Sequence, residues 1–195
     1  MTTQAAGKLL KGGEWLIAPT RPEGVLTPEQ LTEEHKLIAQ TVLQFVEQEV
    51  IPALDKLDQH DWSVARHLIK RCGELGLLGI DVPEEYGGLA LDKVTSVVVS
   101  EAMATSASFA TTFGGQANLT VLPLTLFGTP AQKQKYLPKL LTGELIGAYC
   151  LSETGSGSDA LGAKTKAARQ PDGSFVLNGE KMWITNGGFA DVFIV

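Results

Sequence analysis

Two stretches of the chain combine residue types that can do chemistry. In residues 149–162, Y-C-L-S-E-T-G-S-G-S-D-A-L-G, an apolar run gives way to hydroxyls, a carboxylate and three glycines. Glycine lets a backbone approach a ligand closely and take positive φ. Ser152, Thr154, Ser156 and Ser158 add donors and acceptors beside backbone N–H groups, the makings of an anion-binding concavity. A phosphate-bearing cofactor suits such a loop, although the same composition alone also describes a solvated Gly/Ser turn. In residues 179–188, G-E-K-M-W-I-T-N-G-G, an expected short strand puts Trp183 and Thr185 on one face. The indole then offers a wall to a flat heteroaromatic ring and the hydroxyl a bond to its polar edge. A buried tryptophan on a sheet is usually an ordinary core residue, so each stretch gains meaning from the other.

The rest of the chain must position these residues. Residues 1–26 hold Trp15, Leu16 and Ile17 among Gly, Lys and Pro without a period, and read as an arm. Thr27-Pro28-Glu29-Gln30 supplies a hydroxyl cap, a proline at the first helical position and a glutamine to close a capping box. A long helix is predicted to follow, with Leu37, Ile38, Val42, Phe45, Val46 and Val50 as its apolar stripe and Pro52 interrupting or ending it. Asp61-Trp62-Ser63 opens a second helix that buries Leu68, Ile69, Cys72 and Leu75 and stops at Gly76. After a loop over 77–91, Asp92 caps a third helix through Val94, Val97, Val98 and Ala102. The nearly uncharged 106–127, with Ala110, Gly114, Gly115 and Ala117, is a buried central helix or one lining a cavity. Thr129-Pro130 starts another, broken at Pro138, and Gly143 ends the helical half.

Beyond Glu144 the pattern changes to strand-like runs at 145–151, 164–169, 174–177, 182–185 and 191–195, with a Pro171-Asp172-Gly173 turn between the second and third. The expected fold class is α+β: an arm over 1–26, an all-helical domain over 27–143, and an antiparallel β domain over 144–195. The last residues, Asp-Val-Phe-Ile-Val, stop within a strand-like run, so the β domain reads as incomplete and the chain as an N-terminal piece of a longer protein.

Composition narrows the function classes. Sixteen Lys+Arg against 22 Asp+Glu give a net charge of -6 without a basic run, which argues against nucleic acid as a partner. Cys72 and Cys150 are too far apart for a C-x-x-C site, and His35, His60 and His67 are scattered, so neither a metal site nor a disulfide is expected. No apolar run reaches membrane-spanning or signal-peptide length, and a cytoplasmic protein is expected.

Residues 149–162 and the longer run L-N-G-E-K-M-W-I-T-N-G-G together resemble the flavin-binding signatures of the acyl-CoA dehydrogenase family. Leu75-Gly76-Leu77-Leu78-Gly79 with V-P-E-E-Y-G-G-L over 82–89 is similar to that family's helical-domain loop, and Gly128-Thr129 through Gln134-Lys135-Tyr136-Leu137-Pro138 to its last helix before the sheet. Lys11-Gly12-Gly13-Glu14 resembles the branch acting on longer acyl chains. The resemblance, from about Thr27 to Val195, implies an FAD-dependent dehydrogenase of fatty-acid β-oxidation that converts an acyl-CoA to its trans-2-enoyl-CoA. In that family a glutamate removes the C2 proton while hydride passes from C3 to flavin N5.

Carried over by motif, Tyr149, Leu151 and Ser152 lie along the flavin, and Gly157 and Ser158 meet cofactor phosphate or, for Ser158, the CoA moiety. Trp183, with Ile184 beside it, walls the isoalloxazine, and Thr185 bonds near N5 and O4. Gly114 and Gly115 leave room for a long acyl chain. Glu153 is expected to hold backbone, and the catalytic base to lie beyond Val195, in a C-terminal helical bundle, so no catalytic residue is assigned in this chain. The implied partners are acyl-CoA and an electron-transferring flavoprotein, in a homodimer or homotetramer. An acyl-CoA oxidase or another flavoenzyme on the same scaffold, or a protein binding FAD or acyl-CoA without chemistry, remain as alternatives.

Overall fold

The computed structural model describes residues 13–19 and 24–195; Lys11 and Gly12 of the arm motif lie outside the described residues. Contacts divide the chain into two units, residues 1–33 and 34–195. In the first, α1 (Glu14–Ile17) is a single turn with Leu16 and Ile17 exposed. The Thr27-Pro28 start closes one tight turn, Pro28–Gln30, in which the Gln30 side chain accepts the Thr27 N–H at 3.0 Å. The predicted long helix does not run on from it. Leu31 is extended, with ψ of 130°, and α2 (Glu33–Phe45) begins two residues later. Capping chemistry orders one turn, whereas helix length comes from an apolar face to bury; α2 has one, although Leu37 at its start is exposed.

Pro52 interrupts its helix as expected, whereas Pro138 does not. After Phe45 the chain widens into a π-type turn, Val46–Val50, tightens over Ile51–Ala53, and resumes as α3 (Leu54–Asp58). Pro52 lacks an N–H and its ring presses on the carbonyl four residues back; the widened turn makes room for it. The same device recurs where α6 (Ser108–Gln116) passes through the wide turn Ala117–Val121 into α7 (Leu122–Phe127), which contains Pro123. Pro138 does not break α8 (Pro130–Leu141) at all. It sits in the last turn, and burial of Leu137, Leu140 and Leu141 on either side of it outweighs one lost bond.

Where capping and packing agree, the elements follow the prediction. In α4 (Trp62–Glu74) the Asp61 carboxylate accepts the Ser63 N–H at 3.1 Å, and the helix closes with Leu77 N–H on Cys72 C=O and Gly76 N–H on Gly73 C=O. Asp92 caps α5 (Lys93–Met103) through the Thr95 N–H at 2.8 Å, but Val97 faces outward and Val99 takes a core position. Thr129 and Gln132 exchange capping bonds at the start of α8.

The main core joins the wide turn after α2, α4, the 77–80 loop, α5 and α6, and it includes Ile146 and Phe189 from the strand-rich part. Helices and the connecting segments of the strand-rich part therefore share one apolar interior. A smaller cluster under α8 contains Val82, Val121, Leu137, Leu140 and Leu141.

The fold class holds, with one difference in the sheet. β2 (Lys166–Arg169) and β3 (Phe175–Asn178) form the expected antiparallel hairpin, Lys166 opposite Asn178 and Arg169 opposite Phe175. β1 (Gly147–Tyr149) instead pairs in parallel with β4 (Val192–Ile194), Gly147 opposite Val192 and Tyr149 opposite Ile194. A parallel pair needs a long connection, and the hairpin and the Trp183 turn are that connection.

Candidate functional site

The two chemistry-bearing stretches lie side by side. The Met182 N–H donates to the Ser152 carbonyl at 3.0 Å, and the Thr154 hydroxyl to the Glu180 carboxylate. Lys181 Nζ donates to the Leu151 carbonyl at 3.0 Å and to Glu153 Oε1 at 2.8 Å. Glu153 is 8 % exposed and also accepts the backbone N–H groups of Lys164, at 2.6 Å, and Thr165, at 3.0 Å. Lys181 foremost, then these donors, hold its carboxyl far below the usual carboxylate range. Glu153 and Ser156 exchange main-chain bonds at 2.9 and 3.1 Å, and the Ser156 hydroxyl donates to Asp159 C=O at 2.6 Å. Both carboxylate oxygens are thus occupied in shaping the loop. Glycine fits the open rim that follows: Gly157 has nothing near its missing Cβ, and Ser158 is exposed.

The second stretch is not a strand. Residues 182–185 form no ladder, Trp183 has φ of 58° and Asn186 of 63°, so alternation no longer describes which side chains share a face. The cause is the buried Asn186 amide, which donates to Thr112 C=O at 3.1 Å and Gly147 C=O at 3.2 Å and draws the chain onto α6 and β1. Its Oδ1 is buried without a partner. The Trp183 ring is left 86 % exposed, while Thr185 is half-buried.

The glycines of α6 part company here. A Cβ on Gly115 would stand 2.8 Å from Thr185 Cγ2 and 3.0 Å from Asn186 Nδ2, so its smallness admits the Trp183 turn, and the room expected there for an acyl chain is filled. Gly114 faces open space, with only Asn118 Nδ2 at 4.0 Å. A cavity of about 400 Å³ opens beside them, lined by Trp62, Ser108, Thr111, Thr112, Ile184 and Thr185 among others. Tyr149 lies elsewhere, lining a hollow of about 640 Å³ with Phe127, Tyr136 and Phe193. The structure therefore brings Leu151 and Ser152 next to Met182, and Thr185 next to Gly115, but Tyr149 faces a different hollow.

Three contributors had no place in the sequence reading. Gln116 is fully buried; its Nε2 donates to the carbonyls of Leu140 and Leu145 at 2.8 and 3.0 Å and its Oε1 accepts the Gly147 N–H at 2.7 Å. A long carboxamide, with only Asn118 as a second one, inside the uncharged 106–127 run was the available signal. Arg66 on α4 holds both oxygens of Asp191, at 3.0 and 2.9 Å, and keeps its carboxyl below the usual range. Lys181 completes the set. Among the described residues no cluster of histidine, cysteine and carboxylates could hold a metal, both cysteines are buried free thiols, and no helix is long and apolar enough to cross a membrane.

Comparison with known proteins gives this arrangement its family. Residues 32–144 match the acyl-CoA dehydrogenase N-terminal domain and residues 148–195 its middle domain. A probable acyl-CoA dehydrogenase of Bacillus subtilis is 49 % identical over 191 residues, 97 % of this chain and 32 % of that protein. The mitochondrial isovaleryl-CoA dehydrogenase of Bos taurus is 41 % identical over 167 residues, 85 % of this chain and 39 % of its own length. Among solved structures, an acyl-CoA dehydrogenase of Bacillus anthracis complexed with FAD superposes with a TM-score of 0.89 at 52 % identity, over 96 % of this chain and 32 % of that one. The chain spans between about a third and two fifths of these proteins' lengths. It belongs to the acyl-CoA dehydrogenase family.

Proposed function

We propose that this chain forms the helical domain, residues 27–143, and part of the β domain, residues 144–195, of an FAD-dependent acyl-CoA dehydrogenase that converts an acyl-CoA thioester to the trans-2-enoyl-CoA. The observation that carries the reading is the pairing of residues 151–154 with 180–182, which puts the two flavin-type motifs on one surface. That surface suits a flat, polar-edged group: an indole ring 86 % exposed, a half-buried threonine hydroxyl, and the open rim at Gly157 and Ser158. When bound, FAD supplies the acceptor for the hydride leaving C3 of the thioester. Leu151 and Ser152 would hold its ring edge, Trp183 and Ile184 would cover a face, Thr185 would donate a hydrogen bond, and Gly157 and Ser158 would admit a phosphate. Tyr149 belongs to this set by motif, at its margin. Glu153, with both oxygens engaged, keeps the loop in shape and takes no proton from substrate.

The acyl chain runs past α6, and a long-chain preference now rests on Gly114 alone, since Gly115 is filled. An electron-transferring flavoprotein takes up the electrons from the homo-oligomeric enzyme. The test is anaerobic titration of the full-length protein with acyl-CoA thioesters from short to long. Flavin bands bleached most efficiently by long chains support the reading. Absence of flavin removes it, bands untouched by any thioester remove the dehydrogenase, and preference for four-carbon thioesters removes the long-chain assignment.

A further inference from the structure

We infer that Arg66 is a positioning residue for the Trp183–Thr185 turn, an inference that rests on the flavin reading above. Arg66 and Trp62 stand one turn apart on α4, hence on one face, and both grip the far end of that turn. The Trp62 ring stacks on Phe189 with centroids 5.0 Å apart and planes 14° apart. The Arg66 fork binds both Asp191 oxygens and donates to the Phe189 carbonyl at 2.5 Å. Asp191 Oδ2 accepts the Ile146 N–H at 2.9 Å, and the Asp191 N–H donates to Ile146 C=O at 2.8 Å. One guanidinium thus fixes where the turn re-enters β4 beside β1.

The near end is fixed separately, by Asn186 on Thr112 and Gly147 and by the Thr185 methyl against Gly115. Between the anchors run Gly187 and Gly188, the residue type with most backbone freedom to lose. The Phe189 and Ala190 N–H groups donate to the Asn186 carbonyl at 3.0 and 2.9 Å, which ties the far end to Asn186 through a closed turn, so that releasing the Arg66 grip lets this turn shift and carries the adjoining Thr185 hydroxyl with it. A bidentate Arg–carboxylate pair fixes angle as well as distance, which a lysine ammonium cannot.

The experiment compares full-length wild type with Arg66→Lys and Trp62→Leu. Arg71→Met serves as control on the same helix, since Arg71 pairs with Glu49 and Glu74 instead. Readouts are kcat and KM, the visible circular dichroism and midpoint potential of bound flavin, and hydrogen exchange of the amides in 183–190. Arg66→Lys should lower kcat on the order of 10²-fold, as expected for small misplacements of reacting groups. It should leave KM little changed, shift the flavin spectrum and potential, and speed exchange in 183–190, with Trp62→Leu intermediate; Arg71→Met should change only the melting temperature. Wild-type kcat, potential and exchange in Arg66→Lys overturn the inference, whatever its melting temperature. If Arg66→Lys does not fold, Asp191→Asn is read in the same way. Should the wild type hold no flavin, the flavin reading falls by itself, and exchange in 183–190 still decides whether Arg66 clamps the turn.

Discussion

At the scale of single residues, the buried polar side chains carry more of the specification than the hydroxyls that first draw attention. Gln116 satisfies three main-chain groups from three places in the chain. Gln116→Leu keeps its bulk but strands the Gly147 N–H, a loss of about 1–3 kcal/mol. Differential scanning calorimetry of the full-length protein should show a fall in Tm of about 1–2 °C, small because the unfolding entropy grows with chain length, and an unchanged Tm would mean water replaces the amide. Glu153 makes a pH-dependent contribution. Lys181 and the backbone donors hold its carboxyl in the folded state far below the ordinary glutamate value of 4.5, so its contribution is complete above that pH and drains away as pH falls toward the folded value. Glu153→Gln should therefore destabilise the protein at pH 7 and flatten its stability profile below about pH 4.5. Denaturation at several pH values, with parallel profiles for variant and wild type, would refute this role.

At the scale of elements, close approach decides where the strands can lie. β1 crosses the wide turn of the 117–121 segment so tightly that a Cβ on Gly147 would stand 2.6 Å from Thr120 Cβ and 2.7 Å from its Oγ1. Gly147→Ala should cost about 1–3 kcal/mol by overpacking. Adding Thr120→Ala should recover part of that, so additive losses in the double variant would argue against the contact. The sequence made α4, α5 and α8 legible because cap and apolar stripe are local and agree. It placed the interruption at Pro52 but misplaced a break at Pro138, because a proline rule is local too, and burial of Leu137 and Leu140 overrides it there. The parallel pairing of β1 with β4 had no local signature, since its partners are far apart in the chain. For the candidate site, the sequence singled out Ser152, Trp183 and Thr185 by residue type, whereas their geometry was not legible in it. Alternation assumed a strand, and the buried Asn186 amide makes a turn. Arg66 and Asp191 look like ordinary surface charges until the fold joins them.

At the scale of the whole molecule, the shared core changes what counts as a folding unit. Ile146 and Phe189 sit in the same apolar interior as α4, α5 and α6, so residues 27–143 do not close their core by themselves. The tie between Arg66 and Asp191 spans 125 residues of sequence. A ribosome adding about 5–20 residues per second delivers the second partner roughly 6–25 s after the first. During that interval the emerging helices present an unsealed apolar face, a natural target for a ribosome-associated chaperone. Stalled nascent chains should gain protease resistance in one step once Asp191 has cleared the exit tunnel, and resistance already present with only α8 exposed would contradict this. Synthesis rate thus becomes a variable in the yield of this protein: slowing translation between β1 and β4 should raise the aggregated fraction in cells depleted of such chaperones.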